Sequence, residues 1–157
     1  MEIESSVAGV EQGYDIIEFA AGLNAYARAV HATAVDHGWW PKTGRNMGEM
    51  IALMHSELSE ALEAWRDHDN VTAIRYEYPL TNEGNVDGTT VLYEPSFVYA
   101  DGRVELGKPV GVASEFADVI IRILDTCKML NIPITEALVR KAAYNQTRPY
   151  RHGGKLA

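Results

Sequence analysis

The chain has 157 residues, 46% of them hydrophobic and 23% charged, and a formal net charge of −8. That length fits one domain with its own core, and the acidic balance argues against general binding to a nucleic-acid backbone. No apolar run approaches the roughly 18 residues of a membrane span, and the acidic start, with Glu2 and Glu4, is unlike a secretory leader.

Residues 1–13 read as a flexible N-terminus ahead of a single domain over 14–157. The spacing predicts a first helix over 14–37, where Ile16, Phe19, Ala20, Leu23, Ala27, Val30 and Ala34 recur at three- and four-residue steps. Gly38 is its expected stop. The following loop carries Trp39 and Trp40, read as core residues ahead of nucleobase-stacking platforms. A second helix is expected from Asn46, which with Glu49 has the spacing of a capping box. Met47, Met50, Ile51, Met54, Leu58, Ala61, Leu62 and Trp65 form its apolar stripe. The row Leu53, Glu57, Glu60 and Ala64 lies on the shoulder of that stripe, which points the two acids into a groove.

Between Val71 and Val110 the character changes. Tyr76, Tyr78, Val91, Tyr93, Phe97, Val98 and Tyr99 favour strands, and turn signals fall at 82–88 and 100–103. Two or three short antiparallel strands are expected, packed on the helices or on a partner chain, because an isolated hairpin is marginal in water. A third helix follows over about 112–130, with Val112, Phe116, Val119, Ile120, Ile123 and Cys127 as its core face. The single cysteine reads as a buried thiol, consistent with a reducing cytoplasm. A fourth helix over about 135–147 ends before Pro149. The fold class is therefore mainly α: four helices with a strand-rich insert around 71–110.

Glu57-Leu-Ser-Glu60 and Glu115-Phe-Ala-Asp118 carry the chemistry. Carboxylates three residues apart share one side of a helix, with Cβ atoms roughly 5–6 Å apart. If the two helices face each other, four acids converge, and they repel unless a cation lies among them. Oxygen-only donors suit Mg²⁺ or Mn²⁺. One such pair alone is commonly solvated surface; two pairs, each beside an apolar stripe, are stronger. The plain alternative for Asp118 is an ion pair with Arg122 on the next turn. Glu63 reads as solvent-facing and His55 as structural. From Arg140 to Ala157 there are five Lys and Arg residues and no Asp or Glu. Lys141 and Asn145 share a helix face, and Arg148, Arg151, His152 and Lys155 follow. They serve either as cations complementing a helix C-terminus or as donors to phosphate oxygens.

These motifs together resemble the MazG-like, all-α nucleoside triphosphate pyrophosphohydrolases, particularly the compact single-domain type of phages and bacteria. The stretches 107–118 and 141–155 are similar to that subgroup, and the likeness runs from about Ala34 to Lys155 apart from the insert, which is longer than the family's usual connection. The resemblance implies a four-helix-type MazG-like bundle that forms a homodimer or homotetramer in the cytoplasm of a bacterium or phage-infected host. It implies hydrolysis of a nucleoside triphosphate to monophosphate and pyrophosphate. Glu57, Glu60, Glu115 and Asp118 would be the Mg²⁺ (or Mn²⁺) ligands and catalytic groups; Lys141, Asn145, Arg148, Arg151, His152 and Lys155 would contact substrate. No nucleic acid or membrane partner is expected. A non-catalytic nucleotide-binding or regulatory module on the same fold is the alternative. A di-iron bundle needs Glu-x-x-His on two helices, and no Glu here has His three residues later.

Overall fold

A computed structural model describes residues 15–42, 44–67, 69–78, 90–98 and 102–149. The expected turn at 82–88, Tyr99, the N-terminus over 1–13 and the tail from Tyr150, with Arg151, His152 and Lys155, lie outside the described residues. Four helices dominate: α1 (Ile16–Asp36), α2 (Met47–Arg66), α3 (Val112–Met129) and α4 (Ile134–Gln146). Local chemistry sets their ends. Asp15 caps α1 by accepting from the backbone N–H groups of Ile17 and Glu18. Asn46 caps α2 by accepting from Glu49 N–H at 2.8 Å, as its spacing predicted. Gly38 follows α1 with φ +72°, the left-handed position that glycine adopts without a Cβ penalty.

Among its described residues the insert holds five short strands, not two or three: β1 (Arg75–Tyr78), β2 (Thr90–Leu92), β3 (Ser96–Val98), β4 (Val104–Leu106) and β5 (Lys108–Val110). Runs of three or four residues are too short to show a period-two pattern in sequence. β1 is the centre of a three-stranded antiparallel sheet in the order β2-β1-β5, and β3 pairs with β4 in a separate two-stranded sheet. Pro109 sits on β5, an edge strand, where its missing N–H costs no ladder bond.

The chain divides into two compact units. One comprises the described residues up to Pro41 and from Leu124 onward; its buried side chains include Ala27, Ala34, Leu124, Cys127 and Val139. Thr135 Oγ1 donates to Asn24 Oδ1 at 2.9 Å, joining the start of α4 to α1. The other unit, Lys42–Ile123, contains α2, the strands and the first part of α3, and buries Met50, Ala61, Tyr78 and Val112. Here the buried faces differ from the expected stripes. In α2, Ile51, Leu58, Leu62 and Trp65 are exposed, whereas Glu57 is buried. In α3, Phe116 and Ile120 are 52% and 54% exposed. Glu57 of α2 and, less completely, Glu115 and Asp118 of α3 turn inward, while part of each apolar stripe stays outside. No helix among the described residues is long and apolar enough to cross a membrane.

Candidate functional site

Glu57, Glu115 and Asp118 converge. Each offers one carboxylate oxygen, and these oxygens all lie within 4.8 Å of one another. Glu57 sits in the middle of α2, one face of which is buried, so it is only 6% exposed. Glu115 and Asp118 occupy the first two turns of α3 and are half-buried. The fourth expected member, Glu60, is exposed and outside this triad. It accepts a long hydrogen bond from Ser56 Oγ at 3.4 Å.

The electrostatics are strained. Burial pushes the Glu115 carboxyl above the usual carboxylate range, and the charges of Glu60, Asp118 and Glu57 push it further; Lys108 pulls it back. Glu60 is the largest of the three charge effects, so it lies within electrostatic reach although it is not in the triad. Arg122 Nη2 approaches Glu57 Oε1 at 2.5 Å. The alternative for Asp118, a pair with Arg122 on its own helix, thus gives way to a pair between two helices. Three oxygens at this spacing, hard and anionic, fit a divalent cation that takes oxygen ligands and completes its shell with water or substrate. The donor set contains no nitrogen or sulfur, which disfavours zinc.

The basic candidates belong to the other unit. Lys141, Asn145 and Arg148 are exposed along and just after α4. Lys141 Nζ lies 5.5 Å and Arg148 Cζ 5.9 Å from the centroid of the exposed Tyr144 ring, within cation–π range. His55 and Glu63 are exposed.

Sequence reasoning missed a second polar cluster. Asp125 accepts from Trp40 Nε1–H at 2.9 and 3.0 Å and sits 2.6 Å from His31 Nδ1. With Asp125 ionised, Nδ1 carries the proton. The His31 and Trp40 rings meet edge-on with centroids 6.0 Å apart. Trp40 is therefore committed to Asp125, whereas Trp39, expected in the core, is 53% exposed. The available signal was Asp125 itself, an acid flanked by the buried Leu124, Thr126 and Cys127. The Cys127 thiol is buried as expected, and burial pushes its pKa up. A half-open cavity of about 200 Å³ in this unit is lined by Asn24, Arg28, Lys128 and Asn131 among others, and by none of the candidate ligands.

No protein-family model, curated protein or solved structure matches the chain.

Proposed function

We propose that the protein is a Mg²⁺-dependent nucleoside triphosphate pyrophosphohydrolase of MazG-like type, converting a (d)NTP and water to (d)NMP and pyrophosphate. The observation that carries this reading is the convergence of Glu57, Glu115 and Asp118 with Glu60 at their edge. Glu57, Glu115 and Asp118 would hold the ion, and Arg122 keeps Glu57 oriented. A bound Mg²⁺ would neutralise phosphate charge and acidify the attacking water. Glu60, exposed and outside the triad, would take the proton from that water. The same resemblance would give Lys141, Asn145 and Arg148, with Arg151, His152 and Lys155 of the tail, the role of cationic and amide donors to the triphosphate. The exposed apolar residues of α2 and α3 support assembly into a dimer or tetramer, because patches of this kind are normally covered. A monomeric mass by light scattering at micromolar concentration would contradict that assembly.

The deciding assay is a screen of canonical and modified nucleoside triphosphates with Mg²⁺ or Mn²⁺, with products resolved. Pyrophosphate from at least one substrate is expected; orthophosphate alone, or no product, overturns the reading. One observation favours the rival, a non-catalytic nucleotide-binding module: Arg122 already engages a Glu57 oxygen. Under that reading nucleotide binds and is not turned over.

A further inference from the structure

The strand insert supplies no ligand to the site above, yet its Arg75 holds an acid, Asp69, that meets the site's backbone. Asp69 lies between α2 and β1 in sequence, and its side chain is only 2% exposed. Its Oδ2 accepts from Val112 N–H at 2.9 Å. Val112 is the first residue of α3, whose leading N–H groups have no partner within the helix. The cap therefore comes from a residue 43 positions earlier, where helices ordinarily cap themselves from the adjoining residue. Asp69 Oδ1 lies 2.7 Å from Arg75 Nε, an ion pair off the line of a hydrogen bond. Arg75 is in β1 and pairs in register with Val110 of β5. From Val110 the chain passes through Gly111 into α3.

Gly111 completes the arrangement. Its φ is +96°, and a Cβ there would stand 2.3 Å from Asp69 Oδ2, so both conformation and space exclude a side chain. Its carbonyl accepts from Glu115 N–H at 3.1 Å. One chain of contacts thus runs from Arg75 through Asp69 to the turn of α3 that presents Glu115.

We infer that Asp69 is a positioning residue for the carboxylate triad: held by Arg75 of the sheet, it clamps the first turn of α3 and so fixes where Glu115 and Asp118 stand. The inference rests on the metal reading above and assigns the insert its role, which is to register the metal-binding turn. Residues that orient ligands from behind change metal affinity by roughly 10- to 100-fold when lost. The clamp acts through backbone, which places it at the low end.

The test is Mn²⁺ titration of the full chain followed by electron paramagnetic resonance, with hydrogen exchange of the Val112 amide as a second readout. Asp69→Ala should weaken Mn²⁺ binding by roughly 10-fold and speed Val112 exchange, since local opening governs protection. Asp69→Asn keeps an acceptor for Val112 N–H and should recover part of the affinity. It also serves if the alanine variant does not fold. Val139→Ala, which opens a cavity in the other unit's core, should lower the melting temperature with Mn²⁺ affinity unchanged; this separates positioning from general loss of stability. If wild type binds Mn²⁺ and Asp69→Ala binds it equally well with Val112 still protected, the clamp is refuted; where only Asp69→Asn folds, faster Val112 exchange with unchanged Mn²⁺ affinity refutes it. If wild type takes up no Mn²⁺, the metal reading itself has failed.

Discussion

Asp125 and the Glu57–Glu115–Asp118 cluster are both partly buried acids, and the protein treats them in opposite ways. Asp125 is answered by its own chain: two aromatic side chains give its oxygens N–H donors. In the cluster, one arginine meets Glu57, Lys108 offsets Glu115 from further away, and the net effect at Glu115 is still unfavourable to the charged form. A carboxylate whose partners are built in contributes stability and has little left to offer a ligand. Carboxylates gathered with too few partners cost stability and are repaid when a cation binds. The contrast therefore separates an acid satisfied within the chain from acids that could still hold a cation.

The largest expected effect strikes the cluster. Asp118→Asn or Glu115→Gln should lower kcat/KM by at least roughly 100-fold, beyond the loss typical of an outer partner, and abolish the rise in melting temperature expected of wild type with Mg²⁺. Glu60→Gln should lower kcat by roughly 10²- to 10⁴-fold, the range for a general base, while leaving Mn²⁺ affinity nearly intact. Equal Mg²⁺-dependent melting shifts in wild type, Asp118→Asn and Glu115→Gln would erase the distinction between the two kinds of acid.

A smaller loss is expected at the cationic end. A hydrogen bond to a charged group contributes about 1.5–3 kcal/mol. Arg148→Ala should therefore reduce kcat/KM by roughly 10- to 150-fold, at about 1.4 kcal/mol per tenfold, with Mn²⁺ affinity unchanged. Steady-state kinetics with wild-type values for this variant would remove Arg148 from the substrate site.

The finest test is one of sign, read from thermal melts without divalent metal. Asp125→Ala strands two N–H donors and should cost about 2–3 kcal/mol, a fall of roughly 5–10 °C in a chain of this length. Glu115→Gln should move the other way. The folded protein holds the Glu115 carboxyl above its unfolded value, so between those values the native state binds more protons than the unfolded one. Stability from this group is then present at acid pH and lost as pH rises through the carboxylate range. Glu115→Gln should consequently melt above wild type at neutral pH and converge with it on acidification. A Glu115→Gln variant that melts lower at neutral pH would show that Glu115, like Asp125, is paid for within the chain.

Much of this was legible in sequence where the signal is local. Asn46 with Glu49, Gly38 and Pro149 marked helix ends because caps and breakers act within a few residues. The pair Glu115 and Asp118 announced a shared face because three-residue spacing on a helix fixes it, whereas of the other pair only Glu57 joined them and Glu60 stayed exposed. What stayed hidden depends on partners far along the chain. Arg122 reaches Glu57 on another helix rather than Asp118 on its own turn, and no spacing rule reports a distance between helices. The same holds for Asp69 and Val112, and for His31 with Asp125. Periodicity also names an apolar stripe without saying which half is covered: Met50 and Ala61 went inside, while Leu58 and Trp65 stayed out.

The division of the chain has a consequence for its birth. The unit holding α1 is made from the two ends of the described sequence, whereas Lys42–Ile123 is one continuous stretch. A nascent chain emerges N-terminus first, so α1 leaves the ribosome well before the α4 residues it packs against exist. Ala27 and Ala34, buried in the finished protein, must wait uncovered while the whole continuous unit is made. Chains halted near Ile123 would carry a complete acidic cluster and an α1 without its cover, and such chains are where aggregation should concentrate.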